Sequence, residues 1–264
     1  MITSRANALV RRARRLRDAR ARREEGAFVA EGLRVVLSAL ESSAPVETLL
    51  VCPARLTSEV AWAAVEAATA RGVPRVDLSP AAFAALSGRE NPTGLAAIVG
   101  TARVALAGLR VPADGIFVAL EGISDPGNLG AVLRTLDAAG AGGLVLVAPE
   151  TDPYHPAAVR ASLGAVFRVP IADGVALPAL WEWAAGAGME VVGSSARAAE
   201  SFWTAPFARP LVLLVGSERE GLSAAARAGA SRIVGIPMSG GATSLNLAVA
   251  VGLLVYEARR REIG

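Results

Sequence analysis

Three times in its second half the chain runs an apolar strand through a glycine-bearing turn directly into a helix. The first junction reads Leu120-Glu121-Gly122-Ile123-Ser124-Asp125-Pro126-Gly127-Asn128-Leu129-Gly130. The second runs Leu213-Leu214-Val215-Gly216-Ser217-Glu218-Arg219-Glu220-Gly221-Leu222-Ser223. The third runs Ile236-Pro237-Met238-Ser239-Gly240-Gly241-Ala242-Thr243-Ser244-Leu245-Asn246-Leu247. Strands that are continuous Val/Leu/Ile runs belong in a parallel sheet buried on both faces, with helices as the covering layers. Each helix mouth presents free backbone N–H groups at the carboxyl end of a strand, so polar side chains there form a site able to hold a ligand.

This pattern predicts an α/β fold. Strands are expected near 115–120, 143–147, 189–193, 211–215 and 232–236, and helices near 129–139, 176–186, 220–227 and 245–261. A smaller α/β domain precedes them. Its strands are expected at 27–30, 46–51, 74–78 and 94–99, and its helices at 32–40, 58–70 and 80–86. Residues 3–23 read as one basic helix whose apolar stripe is Ala6, Leu9, Val10, Ala13 and Leu16. Thr101 to Asp114 carries Gly108 and Pro112 without periodicity. The boundaries follow as 1–105 for the first domain, 106–114 for a linker and 115–264 for the second.

Every one of the 27 basic residues is Arg, and the net charge is only +3. Distribution says more than the total. Nine Arg fall between Arg5 and Arg23, where Asp18, Glu24 and Glu25 are the only acids in or beside the stretch. Such a segment suits an acidic polymer. Cys52 and His155 are the only residues of their kinds, so an intrachain disulfide and a thiolate or imidazole metal cluster are excluded, and no metal is expected. No apolar run reaches the roughly 18 residues of a membrane span. A cytoplasmic protein is the expectation.

Taken alone, the polar residues at the junctions have modest readings. Asn128 suits the cap of a helix starting at Leu129. Ser217 and Glu220 have the spacing of a capping box, and Glu218 that of a first-turn acid favoured by the helix dipole. Gly216 lets a ligand approach the backbone. Ser244 reads as an N-cap and Asn246 as a first-turn polar residue. Arg134 lies off the apolar face of Leu129, Val132, Leu133 and Leu136. His155, between Tyr154 and Pro156, reads as a loop residue with no catalytic role. Arg160 reads either as an RNA or subunit contact or as a solvated arginine.

In this order and spacing the three junctions resemble the three motifs of the SpoU/TrmH branch of the SPOUT RNA methyltransferases. Asn128, Gly130 and Arg134 match the first motif, and Ile236 to Asn246 the third. Phe28-Val29-Ala30-Glu31-Gly32-Leu33-Arg34 and Asn91-Pro92-Thr93-Gly94-Leu95-Ala96 resemble the two ends of the RNA substrate-binding domain, of ribosomal-protein fold, that precedes such catalytic domains. The resemblance implies a C-terminal SPOUT domain with a parallel sheet and a deep trefoil knot. It implies transfer of a methyl group from S-adenosyl-L-methionine to a ribose 2′-hydroxyl of RNA, ribosomal before transfer RNA, by a homodimer. The implied catalytic residues are Asn128, Arg134, Glu218, Ser244 and Asn246. The implied cofactor contacts are Ser195, Gly216, Ile236, Met238 and Leu245. RNA contacts are expected at Arg5, Arg11, Arg12, Arg15 and Arg34. A catalytically silent RNA-binding protein is the rival from another class. A dinucleotide-dependent oxidoreductase is a further one, but it lacks the Gly-x-Gly-x-x-Gly turn.

Overall fold

The computed structural model describes the backbone of residues 1–263 and the side chains of residues 1–260. It divides into two compact units. The first comprises Met1–Ala102 and Pro153–Arg168, the second Arg103–Asp152 and Val169–Gly264. Among the described residues no helix is long and apolar enough to cross a membrane.

In chain order the first unit has α1 (Ala8–Arg15), α2 (Ala19–Glu25), β1 (Ala27–Glu31), α3 (Leu33–Glu41), β2 (Val46–Val51), α4 (Glu59–Ala70), β3 (Arg75–Asp77), α5 (Pro80–Leu86) and β4 (Leu95–Gly100). The chain enters the second unit with β5 (Ile116–Glu121), α6 (Pro126–Ala138) and β6 (Gly143–Val147). It returns to the first as α7 (Pro156–Ser162), a helix absent from the sequence-based expectations, with His155 just before it. It ends in the second with β7 (Ile171–Val175), α8 (Leu177–Gly186), β8 (Glu190–Ser194), β9 (Glu200–Ser201), β10 (Leu211–Val215), α9 (Ala224–Gly229), β11 (Arg232–Gly235) and α10 (Leu247–Ile263).

The first unit is built on a four-stranded sheet in the order β1-β4-β2-β3. Its core includes Val10, Ala13, Leu16, Leu50, Phe83 and Ile98. The single basic helix expected over 3–23 is two helices. Asp18 ends the run by accepting from the backbone N–H groups of Arg20 (2.9 Å) and Ala21 (3.1 Å). Arg22, only 2% exposed, turns its guanidinium inward and donates to the carbonyls of Leu16 (3.1 Å) and Arg17 (2.6 Å). A buried cation thus satisfies the carbonyls that end α1. Phe28 packs against Tyr154 and Phe167, with ring centroids 4.7 and 6.0 Å away, which fixes residues 153–168 in this unit.

The second unit carries a seven-stranded sheet in the order β7-β6-β5-β10-β8-β11-β9, parallel throughout. All five residues of β6 and of β10 are buried, as expected for strands covered on both faces. Strand β10 enters between β5 and β8, both earlier in the chain. Leu106, Leu109 and Val111, expected in a linker, pack on this unit's core. The helix expected from residue 220 starts at Ala224, because Ser223 is its cap and accepts from the N–H of Ala226 at 3.0 Å. Helix α10 packs on α6, with Val251, Leu254, Val255 and Ala258 buried.

Candidate active site

Parallel strands open their carboxyl ends on one edge of a sheet, and ligands bind where the strand order reverses. Here the loops after β8, β10 and β11 line a cavity of about 750 Å³. That size lies within the roughly 300–1,000 Å³ usual for small-molecule sites. Ile236, Met238, Leu245 and Leu247 give it apolar walls, and Ser195, Ser217 and Ser244 supply hydroxyls. All five expected cofactor contacts, Ser195, Gly216, Ile236, Met238 and Leu245, line this one cavity.

The loop after β10 is a tight turn closed by the Gly221 N–H donating to the Ser217 carbonyl at 3.0 Å. A Cβ on Gly216 would lie 2.0 Å from the carbonyl carbon of Gly221 and 2.2 Å from its oxygen. The absent side chain therefore admits the loop's own backbone, while Gly216 also lines the cavity. Ser217 Oγ accepts from the N–H of Glu220 at 3.2 Å, so half of the expected capping box exists, but in a turn rather than a helix. Glu121 accepts from the N–H of Ser223 at 2.8 Å and ties this loop to the end of β5.

One chain of side-chain hydrogen bonds joins the three junctions. Asn246 Oδ1 accepts from the N–H groups of Ala248 (3.0 Å) and Val249 (3.4 Å), which caps α10. Its Nδ2 is thereby directed to Asn128 Oδ1, 2.9 Å away. Asn128 Nδ2 then donates to Glu218 Oε1 at 2.8 Å. The chain has a direction, since each amide accepts on one side and donates on the other, and it ends on a carboxylate, where such bonds are strongest. Two capping expectations change. Asp125, not Asn128, caps α6, accepting from the Asn128 N–H at 2.6 Å with Pro126 in the first turn. Asn246, not Ser244, caps α10. Ser244 lies exposed on the cavity wall.

Arg134 is exposed on α6 and does not line the cavity. Of the expected catalytic residues, Asn128, Glu218 and Asn246 meet one another, Glu218 and Ser244 line the cavity, and Arg134 stands apart. The sequence reading missed Arg197, Arg219 and Arg227, which also line it. Arg227 Nη1 reaches Ser195 Oγ at 3.4 Å, and its Nε donates to the Leu222 carbonyl at 3.1 Å. In an Arg-only chain nothing marks these three out.

The expected RNA contacts lie in the first unit and divide. Arg5, Arg11 and Arg34 are exposed. Arg12 pairs with Glu25 (2.7 Å) and Glu47 (2.8 Å), and Arg15 pairs with Glu25. The hydrogen bond from Arg12, followed by that from Arg15, holds the Glu25 carboxyl below its ordinary pKa. His155 caps α7, its Nδ1 accepting from the Ala157 N–H at 3.2 Å.

Residues 115–256 match the model of the SpoU rRNA Methylase family, and residues 7–97 that of the MRM3-like substrate binding domain. A 23S rRNA (uridine(2479)-2′-O)-methyltransferase of Streptomyces viridochromogenes is 33% identical over 92% of this chain and 85% of its own length. The AdoMet-bound rRNA methyltransferase from Sinorhizobium meliloti superposes with a TM-score of 0.89 at 33% identity, covering 98% of this chain and 97% of that one. The SpoU methyltransferase AviRb from Streptomyces viridochromogenes, solved with AdoMet, gives a TM-score of 0.88 at 31% identity over 98% and 99% of the two chains.

Proposed function

The chain belongs to the SpoU rRNA methylase family, and from that premise we propose that it transfers a methyl group from S-adenosyl-L-methionine to a ribose 2′-hydroxyl of ribosomal RNA. The observation that carries this reading is the Asn246–Asn128–Glu218 chain, which locks three loop ends beside one cavity. The cavity's chemistry fits the cofactor. Ile236, Met238 and Leu245 suit an adenine ring, the hydroxyls of Ser195 and Ser217 suit polar ribose and amino-acid groups, and Glu218 and Glu220 suit a cation. The cofactor, when bound, supplies a methyl group already activated on a sulfonium.

The protein then has to position the acceptor and stabilise charge. Holding the hydroxyl in line is worth about 7–11 kcal/mol at best. Asn128 and Asn246 are assigned to orientation, because their amides are fixed at both ends. Arg134 is assigned to the substrate phosphate and to the alkoxide that develops on the ribose. Guanidinium is a permanent cation near neutral pH, so it serves as an electrostatic clamp rather than a base. Cytoplasmic action, where ribosomal RNA is found, belongs to the same proposal.

Arg134 lies outside its own chain's cavity, and this supports a homodimer in which it serves the partner's site. Mixing an Arg134→Ala protomer with a protomer bearing Gly216→Ala tests the arrangement. Each homodimer should be inactive and the mixture should regain up to about a quarter of wild-type turnover, since half of a random mixture pairs unlike subunits and each such dimer has one intact site of two. No recovery in the mixture, with mixed dimers present, rejects the shared site.

A further inference from the structure

The first unit contains a second cavity, of about 620 Å³. Four separated segments surround it: the end of α1 with the turn after it, β1, the end of α5 with the loop after it, and α7 with its cap. Its wall includes the apolar side chains of Val29, Leu86 and Val159, while Arg14, Arg17, Arg89 and Arg160 stand around it, all exposed.

The charges do not cancel locally. Glu31, which also lines the cavity, is committed to the loop after α5: its carboxylate accepts from Ser87 Oγ and from the N–H of Gly88 at 3.0 Å. Asp18 is committed to capping α2. Among the described residues no carboxylate forms an ion pair with Arg14, Arg17, Arg89 or Arg160. Arg17 reaches only the Ser87 carbonyl, at 3.4 Å. Arg15 also lines the cavity, but its charge is met by Glu25. Arg12, outside the cavity, is met by Glu25 and Glu47. A cavity with partly apolar walls and cations around it fits an unstacked nucleotide whose flanking phosphates face guanidinium groups.

We propose that this cleft holds the sugar–phosphate backbone of the substrate RNA around an unstacked nucleotide, with Arg14, Arg17, Arg89 and Arg160 as the phosphate contacts. The assignment rests on the RNA substrate proposed above and deepens it. It moves the RNA contact from Arg5, Arg11, Arg12 and Arg34 to a cleft that α7 completes, so a segment within the residues matched by the SpoU rRNA Methylase model takes part in holding RNA. It also selects between the two sequence-based readings of Arg160 in favour of RNA contact.

Binding of the full-length chain to a labelled oligouridylate over a range of salt tests this. For single strands, each lost phosphate contact lowers the slope of log affinity against log salt by about 0.7. Arg89→Gln/Arg160→Gln should therefore lower the slope by about 1.4 and weaken binding roughly tenfold at moderate salt. The Arg→Lys counterparts should restore most of the slope. Arg20→Gln/Arg23→Gln removes an equal charge outside the cleft and should change the slope little. An unchanged slope in the Arg89→Gln/Arg160→Gln variant, with an unchanged melting curve, overturns the cleft assignment. So does an equal loss in Arg20→Gln/Arg23→Gln, which would make bulk charge the cause. A wild-type chain that binds neither oligouridylate nor ribosomal RNA would instead bring down the RNA substrate itself, and the cleft with it.

Discussion

Asn246 performs two tasks with one amide, and substitutions separate them. Its oxygen caps α10, while its nitrogen holds Asn128. Asn246→Ala loses both, and about 1 kcal/mol of stability should go with the cap. Asn246→Asp keeps an acceptor for the helix N–H groups but has no donor for Asn128. It either repels Asn128 Oδ1 or turns that amide away from Glu218. Stability of the Asp variant should stay near wild type by urea melting, while methyl transfer falls on the order of 100-fold through misplacement of the acceptor. A fully active Asp variant would reduce Asn246 to a cap. Glu25 makes a different prediction, on stability alone. Its folded pKa lies below the unfolded value because Arg12 and then Arg15 donate to the carboxylate. The stabilisation is therefore complete above the ordinary carboxylate pKa and is lost as pH falls through the lowered one. Glu25→Gln should melt below wild type at pH 7, and the two curves should converge in acid. A gap that persists at low pH would assign the effect to packing instead.

Among the elements, the loop after β10 shows best why some of the site could be read in advance and some could not. Its strand was legible, because five apolar residues in a row have few other uses. The importance of Gly216 was legible too, but its overlap with Gly221 was not, since that arises only when the turn closes on itself. Gly216→Ala sets a methyl group against main-chain atoms that cannot step aside. It should cost about 1–3 kcal/mol and abolish measurable cofactor binding, read by calorimetry. Normal affinity would mean that the loop reopens freely. The break between α1 and α2 escaped the sequence because the Arg22 that stabilises it looks like any other arginine in a basic run. Strand β7 escaped because Asp173 and Gly174 interrupt its apolar pattern. Helix α7 escaped because its cap is a histidine, which capping preferences rank low. The Asn128–Glu218 and Asn246–Asn128 bonds span 90 and 118 residues, so composition and local periodicity carry no trace of them. Motif resemblance nominated those residues without saying how they meet.

At the scale of the whole molecule, the second unit leaves an apolar strip uncovered. Val249, Leu253 and Tyr256 on α10 are 51%, 42% and 53% exposed, one helical turn apart along the same face. Leu245, at 37%, continues the strip to the cavity wall. A self-complementary contact through such a face is the simplest way for two copies to bury it, and the homodimer proposed above would use it. Val249→Asp/Leu253→Asp should convert a dimer into monomers by sedimentation and remove methyl transfer. Active monomers would end the shared-site reading. The central claim is the reaction itself, and mass-spectrometric mapping of ribose methylation tests it most directly. Ribosomal RNA from cells lacking the gene should be incubated with the purified chain and isotope-labelled S-adenosyl-L-methionine. The account predicts label at a single nucleotide, on the 2′-oxygen, at a position that is methylated in cells carrying the gene and bare in cells without it. Label on a base instead of a ribose, or identical methylation maps from both cell lines, would contradict it.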